Sequence, residues 1–355
     1  MDIQPLLLKA VETNASDLHL LVGLPPVYRI NGALQQLSSS EPITNETMKA
    51  LCLPLLTPAQ KEMLEGNRSL DFSYGFGGGD YGDKGRFRVN LYFQRGTLAA
   101  AFRLLPAKVK TIEELRLPGI CHRFAALKQG FVLITGPTGH GKTTTIASIV
   151  NEINMTRSAN ILTIEDPVEY IFPKGKSIIS QRELGQDTHS WGESLKSALR
   201  EDPDVVIIGE MRDPESIASA ITIAETGHLV FSTLHTNSAA QSIDRIIDSF
   251  PEAQQNQVRI QLSSTLEGII SQRLIPTIET GRIVAAEVLV ANNAVRSNIR
   301  EGKTHLIDSI IETSQEAGMN SLENALAQLV KSGMITLDVA QSYALRSETL
   351  ARLVE

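Results

Sequence analysis

The chain has 355 residues, more than one hydrophobic core usually serves, which sets two or three domains as the expectation. Its 33 basic and 40 acidic residues give a formal charge of −7, which argues against a uniformly basic surface gripping nucleic acid irrespective of sequence. Cys52 and Cys121 form no Cys-x-x-Cys pair, no apolar run reaches membrane-span length, and Met1-Asp-Ile-Gln-Pro5 lacks the basic start of a signal peptide. We therefore expect reduced thiols, a cytosolic chain, and membrane association only through a partner.

Residues 3–14 carry a helical pattern, and Leu18–Val22 and Val27–Ile30 read as short strands parted by Gly23-Leu-Pro-Pro26. Helical periodicity returns over 44–65, with breaks forced at Pro54 and Pro58. Ser69–Tyr74, Gly85–Phe93 and Leu98–Leu105 then alternate as an antiparallel meander, so the first part is an α+β domain. The glycine-rich stretch Gly75–Gly85 leads into a strand and offers no helix N-terminus to an anion, so a mobile hairpin loop is expected. The proline-bounded connector at 106–118 divides an N-terminal domain, 1–105, from a second domain, 119–355.

Beyond the connector, strands and helices alternate as a parallel sheet with crossover helices requires. The strands are Phe131–Thr135, Ile161–Ile164, Val205–Ile208 and Leu229–Thr233. Ser238–Ile275 reads as helical with a break at Pro251, Arg282–Val290 as a late strand, and 294–353 as mostly helical, punctuated by Gly302, Gly318 and Gly333. The fold class is thus α/β, with a helical C-terminal part from about residue 294.

The first of these strands runs into Gly136-Pro-Thr-Gly-His-Gly-Lys142-Thr143, and Ile146, Ile149, Val150 and Ile153 follow at helical spacing. This is the G-x-x-x-x-G-K-[ST] pattern in its strand-loop-helix context, where glycines let backbone N–H groups close around phosphates. Gly136, Pro137, Thr138, Gly139, His140, Gly141, Lys142, Thr143 and Thr144 are the candidate nucleotide-binding residues. ATP and Mg²⁺ are the expected ligands, with Lys142 on the β/γ-phosphates and the Thr143 hydroxyl on the metal. His140 fills a free position of the loop and is expected to point to solvent.

Ligands of an open parallel sheet bind outside the carboxyl ends of its strands. The second, third and fourth strands end in Glu165-Asp-Pro-Val-Glu169, Gly209-Glu210-Met-Arg212-Asp213 and Leu234-His235-Thr236-Asn237. Glu165 and Glu210 are the candidates for holding Mg²⁺, partly through water, and for aligning or deprotonating the attacking water; which of them is the base stays open. His235 is placed to sense a γ-phosphate, His228 reads as structural, and Asp213 is the expected partner of Arg212. With no His-x-x-x-His pair and no cysteine cluster, no metal site built of protein ligands alone is indicated.

With these motifs in place, the chain resembles the ATPases of the type II secretion and type IV pilus superfamily, most closely the pilus retraction (PilT-like) branch. The likeness covers nearly the whole length. Ser16–Leu20 is similar to the family's opening strand motif, Gly136–Thr143 to its Walker A loop, and Ile164–Glu169 to its acidic box. Glu201–Asp213 resembles its Walker B segment, Gly227–His235 its histidine box, and Ala294–Lys303 the C-terminal motif tied to retraction, with departures at Val295, Ser297 and Asn298. The resemblance implies a PAS-like N-terminal domain, a RecA-like P-loop ATPase domain and a homohexameric ring at the cytoplasmic side of the inner membrane. It implies as partners an inner-membrane pilus platform protein and, possible beside it, an assembly ATPase or an accessory retraction paralogue, but no nucleic acid. Arg88 and Arg103 have a spacing similar to the family's paired nucleotide-contacting arginines, and are expected to reach the transition state across a subunit boundary; Arg86 and Arg95 are weaker candidates. The chain has neither the long extra N-terminal domain nor the four-cysteine zinc insertion usual in assembly and secretion relatives, which favours retraction. The alternatives are an assembly or secretion ATPase, a RecA-like nucleic-acid translocase, and a nucleotide-binding regulatory subunit.

Overall fold

The computed structural model describes residues 2–36, 41–77, 84–105, 108–279 and 281–355. They fold as two compact units, Met1–Lys108 with Asp166–Ile171, and Val109–Glu165 with Phe172–Glu355.

The first unit is a six-stranded sheet of β1 (Asp17–Leu21), β2 (Val27–Ile30), β3 (Ala33–Gln35), β4 (Ser69–Phe76), β5 (Gly85–Gln94) and β6 (Thr97–Leu104), in the order β3-β2-β1-β6-β5-β4. Every pairing in it is antiparallel. Alternation along β5 buries Phe87, Val89 and Leu91 with Leu18, Leu20 and Phe102 beneath helices Gln4–Glu12, Asn45–Cys52 and Pro58–Asn67. The expected interruption at Pro54 is a single 3-10 turn, Leu53–Leu55, and Thr57 restarts the helix with a capping box to Gln60. The sequence reading missed β3, although Asn31-Gly32 (φ 49° and 83°) is the dipeptide that a tight hairpin between β2 and β3 demands. The glycine-rich loop predicted between β4 and β5 falls on residues 78–83, which lie outside the described residues.

The second unit is a seven-stranded sheet of β7 (Gly130–Thr135), β8 (Asn160–Glu165), β9 (Ile178–Glu183), β10 (Val205–Ile208), β11 (Leu229–Leu234), β12 (Leu266–Pro276) and β13 (Arg282–Val290). Their order is β13-β12-β7-β11-β10-β8-β9, parallel except for β13, which returns antiparallel to β12. The central strands are buried on both faces. Phe131, Leu133, Val206 and Val230 pack against helices Trp191–Ala198, Pro214–Glu225, Ala239–Asp248 and Glu252–Thr265, while Val132, Ile134, Ile207 and Phe231 pack against Ile120–Ala126 and Lys142–Thr156.

One expectation fails here. Ser238–Ile275 is not helical throughout: the helices stop at Thr265, and β12 runs from Leu266 to Pro276 beside β7. Strand β12 is buried along most of its length, and Ser271, Gln272 and Arg273 are buried with its apolar residues, so its sequence shows neither the alternation nor the apolar run by which a strand is recognised. The polar edge strand β9 was also missed. Helices Asn293–Arg300, Ile307–Thr313, Leu322–Lys331, Leu337–Tyr343 and Ser347–Val354 complete the unit, broken near Gly302, Gly318 and Gly333 as expected. The last three pack Leu322, Leu326, Ala340 and Leu350 on Ile275, Ile283 and Ala285 of the β12–β13 pair.

A fully buried carboxylate, Glu323, ties this C-terminal part together. It accepts from the backbone N–H groups of Leu345 and Arg346, at 3.1 and 2.9 Å, and from the Arg346 guanidinium at 2.9 Å. Glu323→Ala leaves two backbone donors without their acceptor and takes one carboxylate from Arg346, which keeps Glu312 at 2.8 Å, so we expect a loss of about 2–3 kcal/mol in stability, read as a lowered denaturation midpoint. Glu323→Gln, which retains a carbonyl acceptor, should lose less; equal midpoints for wild type and Glu323→Ala would contradict this role.

Candidate nucleotide site

The site lies where β7, β11 and β10 end. Strand β7 is buried along its whole length and hands over to Gly136 at φ +141°, where a side chain would put its Cβ 2.4 Å from the Gln272 carbonyl oxygen. Only glycine allows the loop to turn so close to β12. The helix Lys142–Thr156 starts at Gly141, which supplies no side-chain cap, whereas Ser190, Asp213 and Ser238 cap neighbouring helices with side-chain oxygens. Its first N–H groups therefore face the loop without a side-chain acceptor at the N-cap, the arrangement an anion completes.

Lys142 is buried, and its ammonium donates to the carbonyls of Gly136 at 2.8 Å and Pro137 at 3.1 Å. It also lies 3.3 Å from His235 Nδ1, which Thr138 Oγ1 approaches to 3.2 Å. An ammonium can only donate, so Nδ1 is the accepting nitrogen and Nε2 carries the proton that points at Glu210, 3.1 Å away. The other Glu210 oxygen accepts from Arg212 at 2.9 Å. Lys142, His235, Glu210 and Arg212 thus form one polar line across three adjacent strand ends. Thr233 fixes its base, donating through Oγ1 to the Gly209 carbonyl at 2.6 Å.

Glu165 closes β8 and is buried, accepting from Thr163 Oγ1 at 2.6 Å and from Gln181 at 3.4 Å. Two strands, β10 and β11, separate β8 from β7. At roughly 4.8 Å per strand spacing its backbone lies about 14 Å from that of β7, so the two candidate acids do not occupy equivalent places. Glu210 is joined to the loop through His235, whereas Glu165 stands on the far side of it.

The predicted residues are otherwise placed as follows. Arg88 and Arg103 belong to the first unit, where they face each other directly across β5 and β6, with Asp71 at 3.7 Å from Arg88 and Asp17 at 3.1 Å from Arg103. Arg86 donates to Ser73, and Arg95 occupies the β5–β6 turn at φ 48°. His228 is held by Thr226 and the Ile223 carbonyl, both at 3.0 Å, a structural placement. Two expectations are corrected. His140 does not point to solvent: β12 brings the Leu274 N–H to 3.1 Å from its Nδ1, and partial burial, then the charges of Arg273, Lys142 and Arg282, hold its pKa below the usual value. Arg212 pairs with Glu210, and Asp213 instead caps the helix Pro214–Glu225.

Sequence reasoning missed the residues that brace these loops. Arg273, buried on β12, donates to the Asn237 carbonyl and side-chain oxygen at 3.1 and 3.0 Å, holding the segment just after His235. Glu287 on β13 accepts from the Ala239 N–H at 2.7 Å, and burial raises its pKa to about 7. A separate cluster sets His122 between Glu152 at 2.8 Å and Glu113 at 3.3 Å; each imidazole nitrogen already faces a carboxylate. In the segment Ala294–Lys303, Val295 and Ile299 are buried, while Arg296 bonds the carbonyls of Ala291, Ser263 and Ser264. The departures at Ser297 and Asn298 are accommodated by bonds to Glu301 and to the Ala294 carbonyl.

The family described as type II/IV secretion system protein matches residues 119–342. The twitching motility protein of Neisseria gonorrhoeae is 43% identical over 327 residues, covering 92% of this chain and 86% of that one. The type IV pilus retraction ATPase PilT of Pseudomonas aeruginosa is 42% identical over 344 residues, 97% and 98% of the two chains. A crystal structure of the pilus retraction motor PilT with bound ADP matches with a TM-score of 0.91 at 45% identity, covering 99% of each chain. The chain belongs to the type II/IV secretion system protein family and, within it, to the PilT-like pilus retraction ATPases.

Proposed function

We propose that this chain is the subunit of a homohexameric motor that hydrolyses ATP, with Mg²⁺, to draw pilin subunits out of a type IV pilus. The observation that carries the reading is that the likeness to retraction ATPases extends over the whole chain and includes a phosphate loop with its lysine in place. Among the described residues no helix is long and apolar enough to cross a membrane, so a ring acting at the inner membrane would dock on a platform protein. An accessory retraction paralogue or an assembly ATPase would share that base.

The loop fits a polyphosphate. At Gly139 (φ +80°) nothing lies within 4 Å of where a side chain would project, leaving the loop's tip open to a ligand. The Lys142 ammonium donates to two carbonyls of the loop, and a phosphate oxygen would accept a stronger, charge-assisted hydrogen bond from it than a neutral carbonyl does. Thr143 would offer its hydroxyl to Mg²⁺, and Glu210 would hold the ion through water; the metal would supply positive charge to offset that of the bound phosphates. His235, which touches both Lys142 and Glu210, would respond to the state of the terminal phosphate. Glu165, standing away from the lysine, suits the alignment and deprotonation of water on the far side of that phosphate. Arg88 and Arg103 would neutralise the transition state from a neighbouring subunit, which releases them from their carboxylate partners Asp71 and Asp17.

Lys142→Ala should nearly abolish hydrolysis by the purified protein without unfolding it, since the ammonium holds charge and not the core. Glu165→Gln and Glu210→Gln should each lower kcat by roughly 100-fold or more while ATP still binds, and Arg88→Ala with Arg103→Ala should do the same. Turnover within twofold of wild type in the lysine variant would remove the ATP-site assignment. Cells lacking the gene should carry more or longer pili and fail to twitch. Bald cells would place the chain in assembly instead.

A further inference from the structure

We propose that Gln272 is a positioning residue that sets the phosphate loop in its binding shape. This rests on reading Gly136–Thr144 as the ATP site. Strand β12 pairs with β7 as far as Ser271 and Thr135, so Gln272 stands one step beyond the last pair, beside the turn at Gly136. It is fully buried. Its side-chain N–H donates to the His140 carbonyl at 2.6 Å, and its side-chain carbonyl accepts from Thr145 Oγ1 at 2.9 Å. One amide therefore spans the loop, from its fifth residue to the first turn of the helix that follows.

The chemistry calls for glutamine in particular. The His140 carbonyl needs a donor and the Thr145 hydroxyl needs an acceptor, and a single primary amide carries one of each in a fixed plane. Holding the His140 carbonyl toward β12 also fixes the peptide it belongs to. Across a planar trans peptide the carbonyl and the next N–H point in opposite directions, so the Gly141 N–H is turned away from β12 and made available to an anion in the loop. Gly141, at φ +81°, has little conformational preference of its own, and without this contact the peptide would be free to rotate. Gln272 acts through the loop and touches no reacting atom.

Three full-length variants test this. Gln272→Met keeps the length of the side chain and removes both bonds. Gln272→Glu keeps the acceptor for Thr145 and sets a carboxylate oxygen against the His140 carbonyl. Thr145→Val removes the hydroxyl alone. Each is compared with wild type and Lys142→Ala by equilibrium binding of a fluorescent ATP analogue with Mg²⁺, by steady-state kcat and KM, and by melting temperature without nucleotide. We expect both Gln272 variants to melt within a few degrees of wild type yet bind the analogue about tenfold or more weakly, with a matching rise in KM. A residue serving stability alone would lower the active fraction, and so the apparent kcat, and leave Kd and KM where they are. Folded Gln272 variants with Kd and KM within twofold of wild type overturn the proposal. If neither Gln272 variant folds, Thr145→Val decides, a raised Kd supporting the proposal and an unchanged one overturning it. Should Lys142→Ala bind the analogue as well as wild type does, the ATP-site reading itself falls and takes this proposal with it; loss in Lys142→Ala alone refutes only the role of Gln272.

Discussion

A buried ammonium must be surrounded by oxygen, and the site is organised around that requirement at Lys142. The side chain is 8% exposed and is held by carbonyls of its own loop. A cation drawn out of water gains more from an anionic oxygen than from a neutral carbonyl, which is the gain a polyphosphate would bring to this loop. The position exists because β7 is buried on both faces and ends beside β12, with Gly136 turning where no side chain fits.

From that point the sheet order sets which polar side chains meet. Strand β11, adjacent to β7, delivers His235 to the lysine; β10, the next strand, delivers Glu210 to His235; and β8, one strand further, delivers Glu165. Three polar residues from three strand ends thus stand at increasing distance from the phosphate loop, the order from which the proposed division between charge binding and water activation is drawn. On the other flank lies the β12–β13 pair. Its buried Gln272, Arg273 and Glu287 hold the loop, the segment after His235 and the start of the helix Ala239–Asp248 in place.

The parts of this arrangement that are local in sequence were legible. Val27–Ile30 and Val205–Ile208 have the strand bounds that their apolar content predicts, and the glycine loop, both acids and His235 sit at strand ends where an open parallel sheet puts its ligands. What was not legible is long-range. Leu266–Pro276 reads as helix because nearly every residue of it is buried, the polar Ser271, Gln272 and Arg273 included, which removes the alternation that marks a strand. Misplacing that strand hid Gln272, whose bond to His140 joins residues 132 apart, and made His140 look solvent-facing when the Leu274 N–H lies against it. Asn31-Gly32 was a readable hairpin signal, and β3 was missed for want of using it.

The claim at the centre of this account is that ATP turnover at Lys142 drives pilus retraction. It is tested most directly by replacing the chromosomal gene with the Lys142→Ala form and following single fluorescently labelled pili on living cells. The account predicts that pili extend normally and then fail to retract, although the variant protein is present at wild-type abundance. Retraction at wild-type frequency and speed in those cells would contradict it.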